Sequence, residues 1–148
     1  MTKVGVISDT HGILRPEMLR VLQSCDKIIH AGDFASERVA KELDRIAPMY
    51  MVRGNNDLFI PAGQLETLRF SIEEVNFFVI HNRYHISEIP PETDIVVHGH
   101  THVYSEEKRN GVLWLNPGSA WMARGWSPPS MAVLTIDGKD YGIRKVLL

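Results

Sequence analysis

Five apolar runs in this chain each stop at a residue able to donate an oxygen or an imidazole nitrogen. VGVIS leads into Asp9-Thr10-His11, KIIHAG into Asp33, MYMVRG into Asn55, FFVI into His81, and IVVHG into His100-Thr101-His102. In open α/β sheets, ligand sites gather beyond the carboxyl ends of the strands. If these strands share a sheet, their ends converge on one spot, and that requirement constrains the fold. Lys3 to Ser8 and Lys27 to His30 read as strands buried on both faces, and Pro48 to Val52 as a third. Between them, Arg15 to Leu22 has helical spacing with Pro16 suited to a first turn. Ser36 to Leu43 opens on a good serine cap. This alternation predicts a parallel sheet.

The second half is strand-rich. Thr67 to Ile72 and Asn76 to Ile80 flank Glu73-Glu74 as a hairpin, and Asp94 to Val97 reads as another buried strand. Val103 to Lys108 and Val112 to Leu115 flank Asn110-Gly111, a strong hairpin turn. Met131 to Ile136 and Tyr141 to Val146 flank Asp137-Gly138 in the same way. There is no internal repeat, low-complexity tract or linker. The pattern predicts one mixed α/β domain over residues 1–148, with two sheets packed face to face and helices outside.

Composition narrows the class. At 148 residues and 44% hydrophobic content the chain supports one sizeable core. A net charge of -2 leaves no general nucleic-acid footprint. Cys25 stands alone, so neither an intrachain disulfide nor a thiolate metal cluster fits. No apolar run approaches the ~18–20 residues of a membrane span, and nothing at the start resembles a secretion signal. A cytoplasmic protein is therefore expected.

The donors total two carboxylates, four imidazoles and one amide. In extended backbone, residues i and i+2 face the same side, so Asp9 with His11, and His100 with His102, can each aim two ligands at one point. Seven donors suffice for two ions if a carboxylate bridges them. Ions ~3.5–4 Å apart are a common device for displacement at phosphorus. Mixed imidazole and oxygen donors suit manganese, iron, zinc or nickel better than magnesium or calcium. Two divalent ions, the carboxylates of Asp9 and Asp33, and one hydroxide leave a single net positive charge, which attracts an anionic substrate. Each donor alone also fits a cap or a turn; the agreement of five segments carries the reading. His30 and His98, inside apolar runs, fit either the core or support of neighbouring ligands. Glu66, Glu73, Glu74 and Glu106-Glu107 read as solvated faces.

These segments resemble a known family. SDTHG, HAGD, GNND, Ile80-His81 and GHTH are similar to the five metal-site blocks of the calcineurin-like metallophosphoesterases, in the same order. NPGS at Asn116 to Ser119 resembles the segment that follows in the compact branch, which includes bacterial and archaeal phosphodiesterases and the retromer subunit of the same fold. The resemblance runs from Val4 to about Ser119. It implies a four-layer α-β-β-α sandwich. It also implies that Asp9, His11 and His102 hold one ion, that Asn55, His81 and His100 hold the other, and that Asp33 bridges them. A metal-bridging hydroxide would then attack phosphorus, with Asn55 and Asn56 placing phosphate oxygens.

Two positions depart from the pattern. Many members carry a histidine after the third-block asparagine, thought to protonate the leaving group; here Asn56 stands there and cannot act as an acid. The fourth block often reads H-G-H; here it is His81-Asn82-Arg83. Arg83 is expected to add positive charge near the substrate, as Arg124 would, and His85 is the loop histidine that can replace the missing acid. The expected function is a metal-dependent phosphodiesterase acting on small diesters or nucleotides, with manganese as the first choice of ion. The alternative is a protein-binding scaffold of the same fold, for which an intact ligand set is unnecessary. A nuclease lacks an appended module or a basic stripe. Trp114, Trp121, Trp126, Met122 and Met131 crowd the last third, so self-association is expected.

Overall fold

The computed structural model describes residues 1–57, 65–121 and 127–148. The chain runs through strand β1 (Thr2–Ile7), helix α1 (Pro16–Leu22), β2 (Lys27–His30), α2 (Glu37–Ile46) and β3 (Met49–Met51). There follow β4 (Thr67–Ile72), β5 (Val75–Ile80), β6 (Ile95–Val97), β7 (Ser105–Arg109), β8 (Val112–Asn116), β9 (Ser130–Asp137) and β10 (Asp140–Leu147). One sheet has the order β10-β9-β1-β2-β3 and the other β4-β5-β6-β8-β7. In the first, β1, β2 and β3 are parallel, with Ile7 beside His30 and His30 beside Met51. In the second, β5, β6 and β8 are parallel, with Val79 beside Val97 and Val97 beside Leu115.

The sheets pack face to face through alternate residues. Val4, Val6, Ile29 and Ala31 from the first meet Val75, Phe77, Val79, Ile95, Val97 and Leu115 from the second, all fully or almost fully buried. Intervening residues of the first sheet turn the other way. Ile7, Ile28, Met131 and Val133 face α1 and α2, which contribute Met18, Leu22, Val39 and Leu43. Ser36 caps α2 by accepting the Arg38 N–H at 3.2 Å. Pro16 occupies the first turn of α1, where its missing N–H costs nothing.

The expected mixed α/β sandwich is present, and its outermost layer is thin. Among the described residues both α-helices cover the first sheet. Over the second sheet, Phe78, Ile80 and Val96 lie under Ile86, Ile89 and Trp114, next to a single 3₁₀ turn at Arg83–His85. The hairpins fall close to their turn signals. Asn110 and Gly111 both have positive φ, at 51° and 79°. The last hairpin turns one residue late: β9 pairs through Asp137 opposite Asp140, leaving Gly138-Lys139 as the loop. β7 begins at Ser105 rather than Val103, because the left-handed His102 (φ 65°) interrupts the extended run.

No helix among the described residues is long and apolar enough to cross a membrane. The packing makes a stability prediction. Phe77→Ala empties a site between the sheets and is expected to lose about 3–5 kcal/mol. Ser36→Ala removes one cap and is expected to lose about 1 kcal/mol. Equilibrium urea unfolding measures both; equal losses would contradict a core shared between the two sheets.

Candidate metal centre

The carboxyl ends of β1, β2 and β3 face those of β5 and β6 across the sandwich edge, and the predicted donors sit just beyond them. Asp9 is wholly buried. Its Oδ2 accepts from the Ser8 hydroxyl at 2.7 Å and from the His100 N–H at 3.0 Å. Its Oδ1 is buried and accepts no hydrogen bond. Three imidazoles point their Nε2 atoms at this oxygen: His102 at 3.3 Å, His11 at 3.7 Å and His81 at 3.8 Å. A buried acceptor ringed by imidazole nitrogens fits a cation, since an unsatisfied buried polar atom is otherwise costly.

Asp33 lies between two groups. Its Oδ2 is 3.3 Å from His81 Nε2 and 3.7 Å from His11 Nε2. His11 and His102 bring their Nε2 atoms within 3.3 Å of each other. Ligand atoms of Asp9, His11 and His102 lie within 4.8 Å of one another, and so do those of Asp9, Asp33 and His81. His81 donates from Nδ1 to the Ala31 carbonyl at 2.7 Å. That contact fixes its tautomer and leaves the Nε2 lone pair free toward the centre. The Asn55 amide is 3.1 Å from the same nitrogen. With its NH₂ turned inward it also reaches Asp33 Oδ2 at 3.1 Å; with its oxygen inward it offers a lone pair to a cation. The His100 ring stands nearly perpendicular to that of His81, 5.2 Å away between centroids. All seven predicted donors therefore gather at one place.

How they gather differs from the extended-backbone expectation. Asp9, His11, Asp33, His100 and His102 have φ of 53°, 48°, 60°, 72° and 65°. Each stands in the left-handed region, where a non-glycine residue costs of order 1–3 kcal/mol. The paired donors converge through tight turns, not along straight strand. Backbone bonds between loops hold those turns: Asp9 N–H to Gly32 O, and His11 N–H to Asp33 O, both at 2.9 Å. Two glycines permit the closeness. A Cβ at Gly54 would collide with Asp33, and one at Gly99 with Ser8 and with Asp9 Oδ2.

Several side chains that shape these loops were not legible as such. Asp57, wholly buried, accepts the N–H groups of Asp33 at 2.6 Å, Gly54 at 2.8 Å and Ala35 at 2.8 Å. Its signal was its place closing GNND. Asn116 donates to the Gly99 carbonyl at 3.1 Å and the Thr101 hydroxyl at 3.0 Å. Ser119 donates to the Asp9 carbonyl at 2.9 Å. His30, by contrast, reads in the sequence as core or as support of neighbouring ligands: it accepts the Gly32 N–H on Nδ1, so its Nε2–H faces Thr10 Oγ1 at 3.0 Å beneath the loops. His98 is buried beside Trp114 with neither ring nitrogen hydrogen-bonded.

Charge follows the same geometry. Burial opposes ionisation of Asp9, but the close imidazoles of His102 and His11, the field of His81 and the Ser8 hydroxyl hold its carboxyl far below the usual range. Asp33 is likewise lowered despite burial, chiefly by His81. His81 is raised: burial works against its charge, and Asp33 and Asp9 outweigh it. Burial pushes His30 and His98 down to about 4.

The remaining predicted residues divide. Asn56 donates its N–H to Asp33 Oδ1 at 2.9 Å and its amide to Oδ2 at 3.0 Å. His85 is exposed and lines a cavity of about 250 Å³ beside Asn55, His81 and His100. Arg83 turns away to the outer face of the second sheet, 3.5 Å from Glu107 and over the Trp114 ring at 5.1 Å. The expected charge near the substrate is therefore spent elsewhere, drawn by an acid and an aromatic ring distant in sequence. Arg124, Met122 and Trp126 lie outside the described residues. Met131 is fully buried, Trp114 lies beneath Arg83 and Arg109, and Trp121 packs on His11 at 4.8 Å. None of these three forms the free apolar surface on which self-association was expected.

Comparison with known proteins places this geometry. Residues 2–139 match the calcineurin-like phosphoesterase superfamily domain. A probable metallophosphoesterase of Methanothermobacter thermautotrophicus is 33% identical, covering 92% of this chain and 87% of the relative. A phosphodiesterase of Methanocaldococcus jannaschii is 27% identical over 99% of both chains. The fold superposes on an archaeal phosphodiesterase with a TM-score of 0.78 at 26% identity, covering 97% and 99% of the two chains. It also superposes on Vacuolar Protein Sorting 29 from Cryptosporidium parvum with a TM-score of 0.76 at 22% identity, covering 99% and 98%. With its sheets, its donor set and its sequence agreeing, the chain belongs to the calcineurin-like phosphoesterase superfamily.

Proposed function

We propose that residues 1–148 form one phosphodiesterase domain that works with two divalent transition-metal ions on small diesters or nucleotides. The observation that carries the reading is Asp9 Oδ1, a buried acceptor with no hydrogen bond and three imidazole nitrogens within 3.8 Å. Asp9, His11 and His102 would hold one ion, and Asn55, His81 and His100 the other. Asp33, with one oxygen near both His11 and His81, would lie between them. When bound, such ions neutralise charge at phosphorus and bring the pKa of water toward neutrality. Imidazole with carboxylate favours manganese, iron, zinc or nickel.

The chain's own residues set the geometry. His81 is oriented by the Ala31 carbonyl, and the Asp33 loop by Asp57. Asn56 binds Asp33 through its amide, which is far too weak an acid to protonate a leaving group. The seven gathered donors favour an enzyme over a scaffold, because protein binding needs none of them.

Purified protein is expected to hold two metal ions per chain by elemental analysis. Asp33→Ala should lose more turnover at saturating metal than Asn55→Ala, since Asp33 is charged and central while Asn55 is neutral and one-sided. Equal residual activity would contradict the bridging role.

The lack of an acid at Asn56 sets a preference. General acid catalysis contributes roughly 10²–10⁴-fold, so diesters with leaving groups of low pKa should be cleaved far faster than alkyl monoesters. A leaving-group series is expected to be steep for the wild type and flatter for Asn56→His. A flat wild-type series that steepens in His85→Ala would assign the proton to His85 instead.

A further inference from the structure

The cavity beside the centre is a side chamber. Of the seven donors only Asn55, His81 and His100 line it; Asp9, His11, Asp33 and His102 do not. A diester with phosphorus at the centre can therefore place one of its two arms there. Among the described residues Arg53, Glu66, Asn82 and His85 bring polar side chains to it, and Ile80 an aliphatic one.

Arg53 is firmly mounted. Its N–H donates to the Leu65 carbonyl at 2.7 Å, and the next residue, Gly54, donates to Asp57 at 2.8 Å while packing on Asp33. Its guanidinium is loosely engaged. Its partner among the described residues is Glu66, with Nη2 to Oε2 at 3.6 Å, and the Glu66 side chain is 61% exposed. Charge-assisted hydrogen bonds run at ~2.7–2.9 Å and are often bidentate for arginine. This pair is longer, single and wet, and such pairs contribute little. Neither Arg83 nor Arg15 offers charge here: the first faces Glu107 and the second donates to the Trp121 carbonyl at 3.0 Å.

We infer that Arg53 recognises a second anionic group, a carboxylate or a further phosphate, on the diester arm that enters the chamber, and that Glu66 is the resting counterion this group displaces. The inference rests on the phosphodiesterase reading and narrows its substrates to diesters with a second negative charge on one arm. A planar guanidinium suits either anion through two parallel hydrogen bonds. Glu66 lowers affinity for any anion, so only a group able to make the better-aligned contact displaces it.

The test is calorimetric titration of metal-loaded protein with two matched product analogues, 2-phosphoglycolate and ethyl phosphate. The wild type is expected to bind phosphoglycolate at least about tenfold tighter, as one well-formed charge-assisted contact provides. Arg53→Gln should abolish the preference, Arg53→Lys should keep part of it, and Glu66→Gln should widen it. Binding of neither ligand, equal binding by the wild type, or a preference surviving in Arg53→Gln would overturn the inference. Failure of the phosphodiesterase reading shows separately, as no metal uptake and no metal-dependent hydrolysis of bis(p-nitrophenyl) phosphate. In that event the same titrations on the protein as purified decide the role of Arg53.

Discussion

Asp9 ties the two sheets together at the site, and the rest of the centre depends on that tie. It follows β1 in one sheet, yet its Oδ2 accepts the N–H of His100, which follows β6 in the other. Its carbonyl accepts the Ser119 hydroxyl from beyond β8. A buried carboxylate is tolerated only when its charge is met. Here one oxygen is met by hydrogen bonds and the other faces three imidazoles. The same requirement brings histidines from β1, β5 and β6 to one point, so packing the sheets and building the centre are one event.

The loops are held by contacts that favour function over local preference. Left-handed backbone at five donors is unfavourable residue by residue. Asp57, Asn116 and Ser119 compensate through hydrogen bonds to backbone and hydroxyl groups of the donor loops. The strain thus sits where donors must turn sharply off a strand end, and the support comes from side chains that face no substrate.

Much of this was legible because strand periodicity and a donor at each strand end are local signals. The five runs were found on apolar spacing, the helices on spacing with Pro16 and Ser36, and the hairpins on their turn residues, the last of them one residue early. The pairwise geometry was not, because left-handed φ at Asp9 or His102 leaves no mark in residue type. Arg83 was placed at the substrate because it follows His81 closely; its real partners, Glu107 and Trp114, come from the β7–β8 hairpin. Glu107 had read as a solvated charge, and it pairs with both Arg83 and Arg109. Asp57 was passed over because a turn aspartate looks like any other until the N–H groups around it are counted. Arg53 carried no signal until the chamber gave it a wall.

The thin cover of the second sheet bears on how the molecule opens. Among the described residues, β5 and β6 are protected on one side by the core between the sheets and on the other by Ile86, Ile89, Val112 and Trp114, beside a short turn in which Tyr84 and His85 are exposed. Amide protons of these two strands therefore have a low-energy route to exchange: detachment of residues 83–89 without separation of the sheets. His81 and Asn82 lead into that segment, so the chamber would loosen on one wall first. Asp9 and Asp33, rooted in the helix-covered sheet, would hold their places. The helix-covered half is then the slower to exchange, and the half that carries the chamber the faster.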